Sequence, residues 1–276
     1  MNNMSHRLAG IVRGLLIALM LVWSLVPVIW MVLSSFKPNT VITNSPPSFL
    51  FSPTLVHYVN LFSGGNNLWQ NVINSVIVAG VSTLIAVGLG TMAGYGLSRI
   101  QMRGKDHLSF WIISVRMAPI AAVIVPLYLM FRYLHLLDSY TGLIIAYLSF
   151  NLPFAIWLMT AFFDDLPRDL EEAATVDGAT KWQVFSRVAL PLMKPGIVTT
   201  SILCFIFAWN DYAFATTFTG PGTQTIPIAA ANVLTQSGID WGALTAIGTI
   251  VVLPMAVFGL LVKRWLVTGL TLGAVK

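Results

Sequence analysis

The chain has 276 residues, 57% of them hydrophobic and only 9% charged, with a formal net charge of +5 and a mean hydropathy of +0.81. Soluble domains carry about 25% charged residues, so this chain cannot cover itself with a wettable surface. A cytosolic enzyme, a disordered regulator and a nucleic-acid-binding protein are excluded, and the positive charge reads as membrane orientation.

A membrane helix needs ~20 mostly apolar residues, and six stretches supply them: 14–36, 71–97, 108–131, 141–163, 195–218 and 241–262. Runs such as 142–148 lack the alternation of a transmembrane strand. The expected fold class is therefore an all-α membrane protein with six transmembrane helices, and an even number of spans places both termini on one side. Lysine and arginine choose that side. They cluster at Arg7 and Arg13, at Arg99, Arg103 and Lys105, at Arg168, Lys181, Arg187 and Lys194, and at Lys263, Arg264 and Lys276, whereas the opposite loops hold Lys37 and Arg132. Both termini and the loops after the second and fourth spans are expected to be cytoplasmic.

The parts expected along the chain are a cytoplasmic N-terminus (1–13), a membrane domain (14–264) that includes a cytoplasmic loop (164–194), and a cytoplasmic tail (265–276). The first apolar run is too long for a signal-peptide core, lacks a small-residue cleavage site, and reads as an uncleaved anchor. On the outer side, Pro38, Pro46, Pro47 and Pro53 forbid a long helix. Leu55, Tyr58, Val59 and Phe62 then recur at helical spacing and predict a short amphipathic helix at the interface. Gly220-Pro221-Gly222 and Pro227 break the chain before the last span.

Much chemistry is missing. There is no P-loop, no H-E-x-x-H and no G-x-S-x-G. His6, His57, His107 and His135 lack metal-ligand spacing, and the single cysteine, Cys204, lies in an apolar run and reads as a small buried hydrophobe. Among the spans only Arg116 and Asp211 stand out as charged, without the repeated halves common in ion-coupled carriers. Energy for any transport must come from a partner.

The loop 164–194 reads DDLPRDLEEAATVDGATKWQVFSRVALPLMK and holds both glutamates of the chain, Glu171 and Glu172. It predicts two short helices. The first runs from about Arg168 to Asp177 and ends at Gly178, which is free to turn left-handed. The second is capped by Thr180, shows Trp182, Phe185, Val188 and Ala189 on one apolar face, and ends at Leu190-Pro191. Ala173 and Ala174 leave the first helix slim enough for close approach by another protein, and its acidic rim suits a basic one.

The spacing Glu172-Ala173-Ala174, three residues, Gly178, nine residues, Val188, one residue, Leu190-Pro191 resembles the EAA loop of ABC importer permeases, E-A-A-x3-G-x9-I-x-L-P. Only Val188 departs from it. The likeness covers nearly the whole chain and points to the smaller permease of maltose-type sugar importers, through Leu33–Pro38, Arg116-Met117-Ala118-Pro119, Asn151-Leu152-Pro153-Phe154, Ala208-Trp209-Asn210-Asp211 and the ending 269–276.

That resemblance implies the type I ABC importer permease fold in a bacterial inner membrane, embedded in lipid. The implied partners are a second, homologous permease, two ATPase subunits and an extracytoplasmic binding protein that delivers a carbohydrate. It implies no cofactor in this chain, ATP and Mg being bound by the ATPase. Glu171, Glu172, Ala173, Ala174, Asp177, Gly178, Leu190 and Pro191 would form the coupling element, with the tail as a second ATPase contact. Substrate-path candidates are Arg116, Asn151, Trp157, Asn210 and Asp211, each weighed against a packing role. A glycerol-phosphate-like or modified anionic sugar is the alternative cargo; an ion-coupled carrier and a non-transporting scaffold are the rival classes.

Overall fold

The structure is a computed structural model. It describes the backbone of residues 2–63, 68–100, 103–235 and 238–272, with side chains from Gly10 to Leu261 apart from Thr235. Two compact units emerge, one formed by residues 1–67 and 230–253, the other by 68–229 and 254–276.

The first unit begins with α1 (Asn2–Ser34), whose Gly10–Ser34 portion has a mean hydropathy of 2.6 and buries none of its most apolar window. After α1 the chain folds back through α2 (Asn39–Ile42) to α3 (Val56–Ser63). Three bonds fasten this return: His57 Nε2 to the Lys37 carbonyl and Ser35 Oγ to the Tyr58 hydroxyl, both 2.8 Å, and the Thr54 amide to the Phe36 carbonyl at 2.9 Å. The expected outer helix is present, but the face it buries is His57 and Leu61, while Leu55, Val59 and Phe62 stay exposed. The His57 ring is what satisfies the Lys37 carbonyl, and the apolar stripe is left for a nonaqueous neighbour.

The second unit is built on α4 (Leu68–Arg99). The third expected span is not one straight helix. Lys105–Ser114 forms α5, Val115–Met117 a 3-10 turn and Ile120–Tyr133 α6, and the two arms meet at 87°. Ala118 is extended (φ −61°, ψ 128°) because it precedes Pro119, whose ring disfavours helical geometry in the residue before it. The fourth span is α7 (Tyr140–Asp164), capped by Ser139.

α4 and α7 form the most intimate pair. Ser82, Ala86, Gly90, Gly94 and Ser98 recur every four residues on the buried side of α4. A Cβ placed on Gly90 would stand 2.6 Å from the Ala155 Cβ, and one on Gly94 2.8 Å from the Thr160 amide nitrogen. Small residues at this spacing let helices approach backbone to backbone.

The cytoplasmic loop folds as α8 (Asp169–Val176), a turn at Gly178 with φ +85°, α9 (Lys181–Gln183), a π-helical stretch Val184–Ala189 and α10 (Leu190–Leu192). Thr180 caps α9 in a full capping box with Gln183. Leu190-Pro191 does not end this helix, which runs on to Leu192. Pro191 has no N–H for the carbonyl four residues back, and the wider π turn ahead of it absorbs the mismatch. That turn also changes the buried face: Val184, Phe185 and Ala189 go inside, whereas Trp182 is 64% exposed.

The fifth span is shorter than 195–218. α11 (Lys194–Trp209) meets the preceding helical segment at 72° and stops at Asn210; α12 (Ala213–Phe218) is separate. Asp211 makes the break, because its Oδ2 accepts the Phe214 and Ala215 amides at 3.1 Å each. The loop onward is held to α4, where Asn74 Nδ2 donates to the Gln224 and Gly222 carbonyls at 2.8 and 3.1 Å. α13 (Ile226–Asn232) follows, then in the first unit a two-residue antiparallel pair, β1 (Leu234–Thr235) with β2 (Gly238–Ile239). α14 (Trp241–Leu272) is the last span and continues past its expected end at 262. Among the described residues, four helices are long and apolar enough to cross a membrane, or up to six when each bent pair counts as one span. Of the expected tail, 273–276 and the side chains from 262 onward lie outside the described residues.

Candidate coupling loop and substrate path

α8 carries Asp169, Glu171 and Glu172 in its first turn, where the helix dipole favours negative charge. The two glutamates are neighbours in sequence but point about 100° apart on the helix. Glu171 turns inward and is only 8% exposed. Its Oε1 accepts two bonds from Arg99, Nη2 at 2.7 Å and Nε at 2.9 Å, and its Oε2 accepts the Tyr95 hydroxyl at 3.0 Å. Glu172, Ala173 and Asp177 are exposed, Ala174 is half-buried, and Val176 is 87% exposed. Leu170, also exposed, adds apolar area to α8. The expected coupling residues thus divide: Glu171 anchors α8 within the chain, while Glu172, Ala173 and Asp177 face away from it.

The anchor is dense. Ser98 Oγ donates to Asp164 Oδ1 at 2.6 Å, Lys105 Nζ lies 3.6 Å from the same oxygen, and Arg168 Nη2 reaches the Ser98 carbonyl at 3.3 Å. The Arg99 and Glu171 side chains are only 14% and 11% exposed. Breaking a buried pair by removing one partner costs on the order of 3–5 kcal/mol, because the survivor keeps an uncompensated charge. Leu190 and Pro191 lie in α10 and make none of these bonds, although Leu190 packs against the apolar cluster that holds Phe163, Leu166 and Phe185.

The path candidates are distributed over the two breaks and α7. Arg116, in the 3-10 turn, packs against two adjoining rings, its Cζ 4.5 Å from the Phe154 centroid and 4.3 Å from that of Phe207. Stacking of this kind partly compensates a cation that has left water. No carboxylate lies within salt-bridge reach of it among the described residues. Trp157 is half exposed, and its ring centre lies 6.3 Å from that of Phe154. Asn151 is fully buried; its Nδ2 donates to the Cys204 carbonyl at 3.1 Å and ties α7 to α11. Asn210 is exposed and donates to the Ile206 carbonyl at 2.8 Å, and Asp211 caps α12.

A groove of about 540 Å³ runs beside α4 past Leu84, Met92, Phe185, Phe205 and Phe258. Its lining is nearly all apolar, which suits a hydrocarbon neighbour and not a polyhydroxyl cargo. Sequence reading missed Tyr95 and Arg99, although their spacing of four residues at the end of a span, with the acidic pair on the next cytoplasmic loop, was a usable signal.

Broken apolar spans, a small-residue helix pair and an acidic helix anchored at one end of that pair define an ABC importer permease. Residues 86–271 match the family described as binding-protein-dependent transport system inner membrane component, and the chain belongs to that family. It is 38% identical over 260 residues to the trehalose transport system permease protein of Mycobacterium tuberculosis, covering 92% of this chain and 93% of the relative. It is 32% identical over 266 residues to the sulfoquinovosyl glycerol transport system permease protein of Agrobacterium fabrum, covering 96% and 93%. Among solved structures, a chain of a bacterial ABC transporter that imports the acidic polysaccharide alginate superimposes with a TM-score of 0.71 at 25% identity, covering 96% of this chain and 98% of that one.

Proposed function

We propose that this chain is one of two permease subunits of an ATP-driven carbohydrate importer, with both termini and the α8 loop on the cytoplasmic side. The observation that carries the reading is the outward face of α8. Glu172, Ala173, Val176 and Asp177 are presented on a helix that the chain itself holds in place, as expected of an element seated in a cleft of an ATPase subunit. Kinship with permeases named for trehalose and sulfoquinovosyl glycerol supports a sugar or sugar derivative as cargo. Binding of ATP closes the two partner subunits, α8 follows, and the spans open the path outward to a binding protein that delivers the cargo; hydrolysis then resets the path inward. No residue of this chain performs a covalent step.

Arg116 favours a second reading of the cargo. A guanidinium packed against two adjoining rings, whose centroids are 5.2 Å apart, keeps N–H groups for hydrogen bonds, and these suit a carboxylate, sulfonate or phosphate as well as paired hydroxyls. Trp157 adds an aromatic face nearby. Asn151 and Asp211 shape this region from within, as a tie between helices and a helix cap.

The test is purification of the chain with whatever co-elutes, followed by ATPase assays with its binding protein and a panel holding trehalose, maltose, sulfoquinovosyl glycerol and glycerol phosphate. Co-eluting ATPase and second permease, with stimulation by one compound, supports the reading and names the cargo. A chain that purifies alone and still transports would refute it.

A further inference from the structure

Arg99 is the last residue of α4, and its guanidinium has five N–H donors in a rigid fork. Five bonds use them. Nε and Nη2 hold Glu171 of α8; Nη2 also reaches the Leu166 carbonyl at 3.3 Å; Nη1 donates to the Phe163 carbonyl and to Ser98 Oγ, both at 2.8 Å. A single side chain therefore joins the end of α4, the last turn of α7, the connecting turn and the first turn of α8. Tyr95, one turn earlier on α4, donates to the second Glu171 oxygen, and its ring packs on Phe163 and Phe185 at 5.2 and 4.8 Å between centroids. α8 follows α7 in sequence, so connectivity alone ties it to α7. The bonds tie it equally to α4, which is some seventy residues earlier.

We propose that Arg99 is a positioning residue that fuses α8 to α4, so that α4 is driven directly when α8 is moved, and not only the two spans that flank the loop. The inference rests on the reading of α8 as the coupling element. Charge alone does not make this node. A lysine at 99 would keep the ion pair but has three donors from one nitrogen, and it cannot reach Glu171, Phe163 and Leu166 together. The node is also off the outward face: Glu172, Val176 and Asp177 take no part in it, so the surface offered to a partner and the tie that holds it can be altered separately.

The experiment places spin labels at Thr175→Cys on α8, outside the Glu172, Val176 and Asp177 face, and Met92→Cys on α4, both exposed positions, in the assembled transporter, with and without ATP and vanadate. With Arg99 present, the α8–α4 distance is a single narrow distribution that nucleotide does not shift. In Arg99→Lys, and more mildly in Tyr95→Phe, which keeps the ring packing and loses one hydroxyl, the distribution broadens and shifts with nucleotide. Coupled uptake of whichever panel compound is transported then falls roughly 2- to 30-fold at unchanged ATPase binding, the span expected for residues that modulate coupling. A distance that shifts with nucleotide in the unaltered node, or one that stays narrow in both variants, overturns the proposal. Failure of the underlying reading looks different. Glu172→Lys that leaves ATPase co-purification intact would remove the seat assigned to α8, while the α8–α4 distance would still report whether Arg99 joins them.

Discussion

The close approach of α4 and α7 makes the sharpest stability prediction, because two glycines and their controls lie on one helix. In Gly90→Ala the new methyl would stand 2.6 Å from the Ala155 Cβ and 3.0 Å from its carbonyl carbon. Ordinary carbon contacts sit at about 3.5–4.0 Å, so the helices must part by about 1 Å. Gly94→Ala meets the Thr160 amide nitrogen at 2.8 Å and the Met159 Cβ at 2.9 Å. Backbone cannot step aside as a flexible side chain can, and overpacking of this kind costs about 1–3 kcal/mol. One displacement of α4 relieves both clashes, so the double variant should lose less than the sum of the singles.

Gly80 and Gly88 are the controls, since a Cβ on either meets nothing within 4 Å. Helix propensity favours alanine over glycine by about 0.8–1 kcal/mol, so Gly80→Ala and Gly88→Ala should be neutral or slightly stabilising in the isolated chain. The assay is unfolding of the detergent-solubilised protein by titration with a denaturing surfactant, followed by tryptophan fluorescence. The seam has not been understood if Gly90→Ala and Gly94→Ala unfold at the same surfactant fraction as the controls.

Three further outcomes are expected. Gly178→Ala puts a side chain into φ +85°, a strain of about 1–2 kcal/mol, and Gly178→Asn should cost less; equal melting of the two would refute a strained turn. Thr180→Ala removes the acceptor for the Gln183 amide in the capping box and should cost about 1 kcal/mol, read as faster amide exchange confined to 180–186. Arg116→Gln removes a cation packed against Phe154 and Phe207; uptake of an anionic panel compound should fall more than that of a neutral one, and an equal fall for both would assign Arg116 to hydroxyl recognition or packing.

The sequence made the class, the membrane character and the α8 turn legible because each follows from local signals: composition, apolar run length, the cap Thr180 and the glycine at 178. It did not distinguish Glu171 from Glu172. Both lie in the same helical turn, and what separates them is Arg99, far away in sequence and brought close only by the α4–α7 packing. The breaks at Ala118-Pro119 and Asn210-Asp211 were in fact readable, the first from the pre-proline restriction and the second from a side chain able to capture backbone amides. Apolar run length masked them, since hydropathy counts residues without asking whether the helix through them is continuous. Gly90-Thr91-Met92-Ala93-Gly94 is likewise a visible small-xxx-small pattern. Its partner helix could not be named from sequence.

Rigid and compliant parts are divided in a way that matches the roles proposed for them. α4, α7 and α8 are joined by a glycine seam along the membrane and by a five-bond guanidinium node at its end, with no broken helix between them. α5 and α6 are joined by an extended residue and an 87° bend, and α11 is joined to the segment before it by a 72° bend preceded by a π turn. Arg116 and Asn210 lie at the helix breaks, the α8 residues on the stiff body. A transporter that must expose its path alternately to two sides needs path groups that can be reoriented and a lever that cannot flex. In this chain the polar groups stand at or beside the residues that interrupt the spans, so a change of bend angle also turns those groups relative to the α4–α7 seam.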